Sequence, residues 1–536
     1  MPVARTHSIA LVGVEGHPVE IETDIENGLP GLLLVGLPDT ALREARDRIR
    51  AAIINSGEQW PQRRITVGLS PASLPKRGSG FDLGIAVSVL AAAGTVPTAA
   101  IEGVTFLGEL GLDGQLRPVC GVLPAVAAAA AAGFHRVAVP EISAPEATLV
   151  PEVVVLGAPK LGALLAWLRG EAENGQDVTV RKSGEGADVQ PTRTDPLGPA
   201  GLEGAIGPRP SGKTGDRPDL ADILGQPAAR RAAEICAAGG HHLSLMGPPG
   251  AGKTMLAERI PTILPTLDRS AALEVTAIHS VAGTLPAGSP LMTEPPFCAP
   301  HHTATKAAIV GGGTGIIRPG AASLAHRGCL FLDEAPEFGR DVLDALRQPL
   351  ESGEVVVARL GLTARFPARF TLVLAANPCP CAKGAASGAH CICTPTERRR
   401  YLARLSGPLL DRVDVKAGFL PVSRAELLSD RGFTEPSSVV AKRVEAARDR
   451  AAVRLRHTPW RLNAEIPGRD LRRSFAPGPG ALTPLERAMD LGEISARGVD
   501  RVIRVAWTLA DLAGVPRPTV DETSYALGLW LGVGGD

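Results

Sequence analysis

Short apolar runs and amphipathic stretches alternate along the first 170 residues and predict a mixed α/β unit. Ile9-Ala-Leu-Val12, Val19-Glu-Ile-Glu22, Leu32–Val35 and Arg64–Leu69 read as strands. Between them, Leu42 to Asn55 has helical spacing, with Ile49, Ile53 and Ile54 assigned to one face and Arg43, Arg46 and Arg50 to the other. A helix ends near Leu90, a hairpin turns at Asp113-Gly114, and an alanine-rich helix follows. From 171 to 218 the pattern gives way to Gly, Pro, Ser, Thr, Asp and Arg, which predicts a linker with too little apolar surface to fold. Periodicity returns over 219–422. A helix is expected from Ala228 to Ala238, and buried strands at Leu243–Met246, Cys329–Leu332 and Phe370–Asn377. Arg340 to Glu351 carries an inner stripe of Val342, Leu343, Leu346 and Leu350. Residues 353–359 and 362–369 form a hairpin, and 423–536 read as a helical lid.

Composition changes this picture little. With 44% apolar and 21% charged residues the chain has ample material for cores. Lysine plus arginine and aspartate plus glutamate both total 56, so no global charge pulls the protein toward nucleic acid. The apolar run Ile9–Val14 is interrupted by Glu15 and is too weak for a secretory signal. Apolar stretches near Leu83–Ala93 and Leu123–Ala132 are shorter than the roughly 18 residues a spanning helix needs. A soluble, cytoplasmic protein without membrane contact is expected.

Gly247-Pro248-Pro249-Gly250-Ala251-Gly252-Lys253-Thr254 fits the phosphate-loop pattern G-x-x-x-x-G-K-[ST]. A strand precedes it and a helix start, Met255 to Ile260, follows. Glycines let several backbone N–H groups converge on one anion, and the helix adds its positive end. Lys253 is expected to reach the β- and γ-phosphates of ATP, and the Thr254 hydroxyl to sit on Mg²⁺. The apolar strand at Cys329–Leu332 runs into Asp333 and Glu334. Asp333 is placed for the Mg²⁺ shell and Glu334 for activating the attacking water. A second match, Gly207 to Thr214, lies among prolines with neither strand nor helix, and reads as coincidence.

Further candidates surround this core. Ile223, in the lead-in Asp219–Gln226, is the expected wall for adenine. Asn377 ends a buried strand where it can sense a γ-phosphate or the attacking water. Four of the eight cysteines follow, as Cys379-Pro-Cys381 and Cys391-Ile-Cys393. Four soft ligands suit structural Zn²⁺, with His390 as a substitute for one; reduced thiols are the alternative. His301 and His302 lack a third ligand at metal spacing and read as a structural or substrate-facing loop. The glycine-rich run Val310–Gly320 reads as a flexible insertion facing a pore. Arg359 and Arg365 near the hairpin tip are either solvated charges or phosphate-backbone contacts. Arg412 either completes a neighbouring subunit's site or forms a surface pair with an aspartate. In the helix opening at Ser495, Arg497 is the first choice for a phosphate sensor and Arg501 the second.

Taken together, Gly247–Thr254, Leu330–Glu334, Asn377-Pro-Cys-Pro-Cys381 and Ser406–Asp414 resemble the magnesium-chelatase branch of the AAA+ ATPases. Pro75-Lys76-Arg-Gly78 and Leu116-Arg-Pro118-Val-Cys-Gly121 resemble the Lon protease proteolytic domain. The match places Gly80 where that family's nucleophilic serine belongs and Leu123 where its lysine belongs, which implies a non-peptidase domain; Ser79 and Lys76 are the conceivable substitutes. With Asn27-Gly-Leu-Pro30, Val35-Gly-Leu-Pro-Asp39 and Gly80-Phe-Asp-Leu83 added, nearly the whole chain is similar to the YifB/ComM family. The resemblance implies a Lon-protease-like α+β domain over 1–170, the linker 171–218, an AAA+ P-loop α/β core over 219–422 and the lid 423–536. It further implies a homo-hexameric ring that uses ATP to move DNA, acting in branch migration and DNA uptake. A chelatase-type ATPase that remodels a protein partner is the alternative.

Overall fold

A computed structural model of the chain describes residues 3–36, 40–171, 177–182, 218–285, 291–313, 317–359, 362–381, 391–420 and 434–532. Strict alternation along Glu15–Glu26 buries Val19, Ile21, Thr23 and Ile25 on one face, which fixes the register of the front sheet. That strand pairs antiparallel with Ala4–Val12 on one side and Arg64–Ser70 on the other. The sheet has eight strands, ordered Thr179–Lys182, Val154–Ala158, Arg136–Pro140, Val104–Phe106, Ala4–Val12, Glu15–Glu26, Arg64–Ser70 and Gly31–Val35. Four of these lie outside the expected strands: Val104–Phe106, Arg136–Pro140 and Val154–Ala158 are too short to carry a pattern of their own, and Thr179–Lys182 has a single apolar residue. Thr179–Lys182 corrects the expected linker: it pairs antiparallel with Val154–Ala158 and forms one edge of the sheet. Residues 183–217, including the second phosphate-loop match, lie outside the described residues.

The helix Thr40–Asn55 buries Ile49 and Ile53, but Ile54 is exposed. Residues four apart share a helix face, whereas the fifth has rotated away from it. Arg48, on the same helix, pairs with the buried Asp82 at 3.0 Å, tying it to the apolar helix Asp82–Ala92.

The second sheet is entirely parallel, in the order Phe297–Cys298, Cys329–Leu332, Thr371–Ala376, Leu243–Met246, Val415–Gly418. All six residues of Thr371–Ala376 are buried, as expected of a strand covered on both faces. Strand Leu243–Met246 thus lies between Thr371–Ala376 and Val415–Gly418, and the loop after it opens at the carboxyl edge, where ligands bind in open α/β sheets. The predicted helix 340–351 is split into Arg340–Ala345 and Arg347–Ser352. Pro349 lacks the N–H that would have joined the two turns.

The run 310–320 is bounded by the helix Lys306–Val310 and the buried helix Ala321–Leu324, and within it Gly312 and Arg318 pair as an antiparallel bridge. Its residues 314–316 lie outside the described set. The hairpin Glu354–Arg359/Leu362–Pro367 docks on the front domain, where Ala364 and Phe366 cluster with Leu11, Val12, Val14 and Val281. A second seam joins the domains: Gly121 N–H donates to the Ser280 carbonyl at 3.1 Å, and the Ser280 hydroxyl donates to the buried Glu146 carboxyl.

The C-terminal region consists of helices, chiefly Ser437–Leu455, Ala496–Ala513 and Val520–Leu531. Val440, Val444, Val502, Ile503 and Ala506 merge into the core that also holds Leu243 and Ala417. Among the described residues, no helix is long and apolar enough to cross a membrane.

Candidate nucleotide-binding site

Two glycines give the 247–254 loop its curl: Gly250 has φ +75° and Gly252 φ +98°, a region open to glycine without steric cost. Gly252 directly precedes the helix Lys253–Arg259. At the loop's start, a Cβ on Gly247 would lie 2.5 Å from the Phe419 Cβ, so only glycine lets the two segments cross.

The Lys253 ammonium donates to the carbonyls of Gly247 at 2.7 Å and Pro248 at 2.8 Å, and to Asn377 Oδ1 at 3.1 Å. Burial lowers its pKa, opposed by the nearby charges of Asp333 and Glu334. Thr254 Oγ1 donates to Asp333 Oδ2 at 2.7 Å, and Asp333 Oδ1 accepts from the Glu334 N–H at 2.9 Å. Glu334 has φ +49°, unusual for a residue with a side chain, and this turn aims its half-exposed carboxylate into the cleft. Pro249, Gly250, Lys253, Thr254, Asp333, Glu334 and Asn377 thereby line one cleft of about 310 Å³.

A larger cavity of about 550 Å³ lies beside the loop, lined by Met246, Gly247, Pro248, Lys416, Phe419 and Leu420 among others. Ile223 lines neither cavity: it is buried in the core with Ala229, Leu256 and Ala257. Phe419 and Leu420 supply apolar surface to that larger cavity. They carry no motif, and only the parallel pairing of Val415–Gly418 with the loop's own strand brings them there.

The arginines divide. Arg412 is nearly buried and its guanidinium donates to Glu351 and to the Pro408 carbonyl of its own chain. Arg501 donates to Asp414 at 2.5 Å and to the Arg412 carbonyl at 2.9 Å, which makes it a link between lid and sheet rather than a free sensor. Arg497 is exposed in the first turn of Ala496–Ala513. Among the described residues no recorded bond ties Arg412 or Arg497 to the Lys253–Glu334 group. Arg359 donates to the Gly313 carbonyl at 2.8 Å, and Arg365 pairs with Glu354 at 2.8 Å across the hairpin.

Sequence reading left His302 unassigned to the site. Its Nδ1 lies 3.3 Å from Glu334 Oε2, and its ring packs on His301 with centroids 4.1 Å apart. The signal that could have found it is the short strand Phe297–Cys298, which runs parallel to Cys329–Leu332 and so delivers the next loop beside the acidic pair.

The sulfurs of Cys379, Cys381, Cys391 and Cys393 all lie within 4.8 Å of one another, and those of Cys379, Cys381 and Cys391 are 3.4 to 3.6 Å apart. Burial, reinforced by its neighbours Cys381 and Cys391, pushes the Cys379 thiol up to about 12. Such crowding opposes ionisation until a cation compensates it. His390 lies outside the described residues.

A five-stranded parallel sheet bearing a phosphate loop, an acidic pair and an adjacent asparagine defines the AAA+ ATPase class of the magnesium-chelatase type. Three family models agree: "Magnesium chelatase, subunit ChlI" matches residues 219–427, "Subunit ChlI of Mg-chelatase" 21–143, and "Magnesium chelatase, subunit ChlI C-terminal" 434–529. The uncharacterized protein Rv2897c of Mycobacterium tuberculosis is 50% identical over 527 residues, covering 98% of each chain. Competence protein ComM of Haemophilus influenzae is 39% identical over 530 residues, 98% of this chain and 97% of its own. The uncharacterized YifB of Escherichia coli is 39% identical over 513 residues, 96% and 94% respectively. The chain belongs to the YifB/ComM family.

Proposed function

We propose that this protein is an ATP-hydrolysing ring motor, a homo-hexamer that translocates on DNA and drives branch migration of recombination intermediates. The observation that carries the hydrolytic part is the convergence of Lys253, Thr254, Asp333, Glu334 and Asn377 on one cleft. Lys253 and the loop N–H groups bind the phosphates. Thr254 and Asp333 present hard oxygen atoms 2.7 Å apart, which fits Mg²⁺, and these two would hold it. When bound, that ion neutralises developing phosphate charge. Glu334 takes the proton of the attacking water, and Asn377 orients the water or the γ-phosphate. Phe419 and Leu420 offer the base an apolar wall. Arg412 from an adjoining protomer, once free of Glu351, supplies positive charge to the transition state, with Arg497 as the cis sensor.

The DNA part rests on family membership and on the competence role carried in a relative's name. The front domain acts in assembly rather than as a peptidase, which its side chains support: Ser79 donates to Glu109, and Lys76 is buried and donates to the Pro71 carbonyl. The four cysteines would hold structural Zn²⁺.

The test is ATP-dependent movement of a labelled forked or four-way DNA substrate, with Glu334→Gln as control. Wild type moves the branch and the variant does not. ATP hydrolysis without DNA movement, stimulated instead by a protein partner, overturns this reading in favour of a chelatase-type remodelling ATPase.

A further inference from the structure

The cysteine cluster stands two residues from Asn377, and that proximity has a mechanical meaning. The strand Thr371–Ala376 ends, Asn377 turns its amide toward Lys253, and the chain enters Cys379 and Cys381 at once. Cys391 and Cys393 come from the far side of a nine-residue excursion. Directly after Cys393 the helix Pro395–Leu402 begins, capped by Thr394, whose Oγ1 accepts from the Glu397 N–H at 3.2 Å. Tyr401 in that helix comes back close to the Asn377 backbone. Arg404, just beyond it, pairs at 2.8 Å with Glu337, three residues after Glu334. The cluster therefore closes a circuit from Asn377 to a helix that touches both Asn377 and the segment following the acidic pair.

The sulfur positions suit one ion. A tetrahedral Zn²⁺ with bonds of about 2.3 Å spaces its sulfurs about 3.8 Å apart. The separations of 3.4 to 3.6 Å among Cys379, Cys381 and Cys391 approach that spacing and far exceed the roughly 2.05 Å of a disulfide, and Cys393 completes the set within 4.8 Å. Cys379 is buried, while Cys379 and Cys391 also border the larger cavity beside Gly247 and Pro248.

We infer that Zn²⁺ on Cys379, Cys381, Cys391 and Cys393 is a brace that fixes Asn377 against Lys253, so that occupancy of the cysteine site sets the rate of ATP hydrolysis. This deepens the ATPase reading and rests on it. Asn377 touches substrate; the cysteines are positioning residues that act through it. Without the ion, the excursion's two ends part, the helix Pro395–Leu402 loses its anchor, and the amide no longer has one orientation.

The experiment uses the full chain as wild type, Cys391→Ser/Cys393→Ser and the ligating replacement Cys391→His. Zinc per protomer is measured by atomic emission, along with kcat, KM and the affinity for a fluorescent ADP. Wild type and Cys391→His carry one zinc, and the double serine variant carries none. The zinc-free variant loses about tenfold or more in kcat, while ADP affinity moves much less, because Asn377 faces the γ-phosphate side. Asn377→Ala shows a similar loss, and combining it with the serine variant costs little more, as residues acting through one group are non-additive. A merely structural defect would instead multiply with Asn377→Ala and weaken ADP binding too. A zinc-free variant at the wild-type rate, or fully multiplicative losses, overturns the inference. If wild type carries zinc yet leaves ATP intact, the ATPase reading is what fails. The brace is then still judged by whether zinc loss erases the protein's preference for a non-hydrolysable ATP analogue over ADP.

Discussion

His302 Nδ1 and Glu334 Oε2 lie 3.3 Å apart, joining the loop after Phe297–Cys298 to the carboxylate proposed to activate water. The left-handed backbone turn at Glu334 aims the half-exposed carboxylate into the cleft, and His302 is the side chain placed to hold it there. His302→Ala is therefore expected to lower kcat by up to roughly fivefold, the scale of a partly exposed ion-pair contact. KM should hardly change, because His302 does not line the phosphate loop. His302→Asn, which can still donate, should recover part of the rate. Steady-state ATPase kinetics check all three.

Lys253 and Glu334 should separate binding from chemistry. Lys253→Ala removes the ammonium that spans two loop carbonyls and Asn377, and is expected to abolish detectable ATP binding by calorimetry. Glu334→Gln keeps the shape of the cleft and loses only the base. It should bind ATP as wild type does and hydrolyse it about 10²- to 10⁴-fold more slowly.

Asp414 and Arg501 lock the lid onto the sheet. Removing the guanidinium leaves the buried carboxylate with the His242 N–H, imidazole neighbours and the more distant Arg504 charge but without its ion-pair partner, so Arg501→Ala should cost about 3 kcal/mol of stability. Burial alone would raise the Asp414 pKa, but Arg501, His241 and His242 together outweigh it and hold the carboxyl far below its ordinary 3.8. A folded-state value that is depressed stabilises the protein above the unfolded value and ceases to do so as pH falls below it. This carboxyl should cost wild type stability from about pH 4 downward, less steeply in Arg501→Ala, on top of a loss that begins near pH 6.5 because burial holds His242 and His279 down to about 4. Urea midpoints across pH 2.5 to 7 give the comparison, over the acid range set by that 3.8.

Gly247→Ala tests the crossing of the phosphate loop and the strand's successor. The added methyl would meet the Phe419 Cβ at 2.5 Å and its carbonyl oxygen at 2.7 Å. Overpacking of this kind costs about 1–3 kcal/mol. Because the displaced segment is the loop itself, ATP affinity should fall together with the thermal midpoint. Affinity unchanged at a lowered midpoint would show that Phe419 yields instead of the loop.

Local pattern was enough wherever a run of residues carried its own signal. Glycine spacing with a flanking strand and helix located the phosphate loop, and an apolar run ending in two acids located Asp333 and Glu334. The Asp113-Gly114 turn and the 354–367 hairpin were equally legible, since turn chemistry and alternation act within ten residues or so. Ile54 was misjudged because one isoleucine past the stripe looks much like another until helix rotation is counted.

What the chain's letters determined about this protein is therefore the set of groups suited to phosphate, magnesium and sulfur-loving metal, each written in a contiguous motif. Tertiary structure decided which of the unmarked residues join them. Parallel pairing carried Phe419, Leu420 and the His302 loop to the motif, while burial withdrew Ile223 into the core and Asp414 claimed Arg501. Strand order across a parallel sheet is set by long-range packing and crossover connections, so no short window of sequence encodes which loops meet at its carboxyl edge.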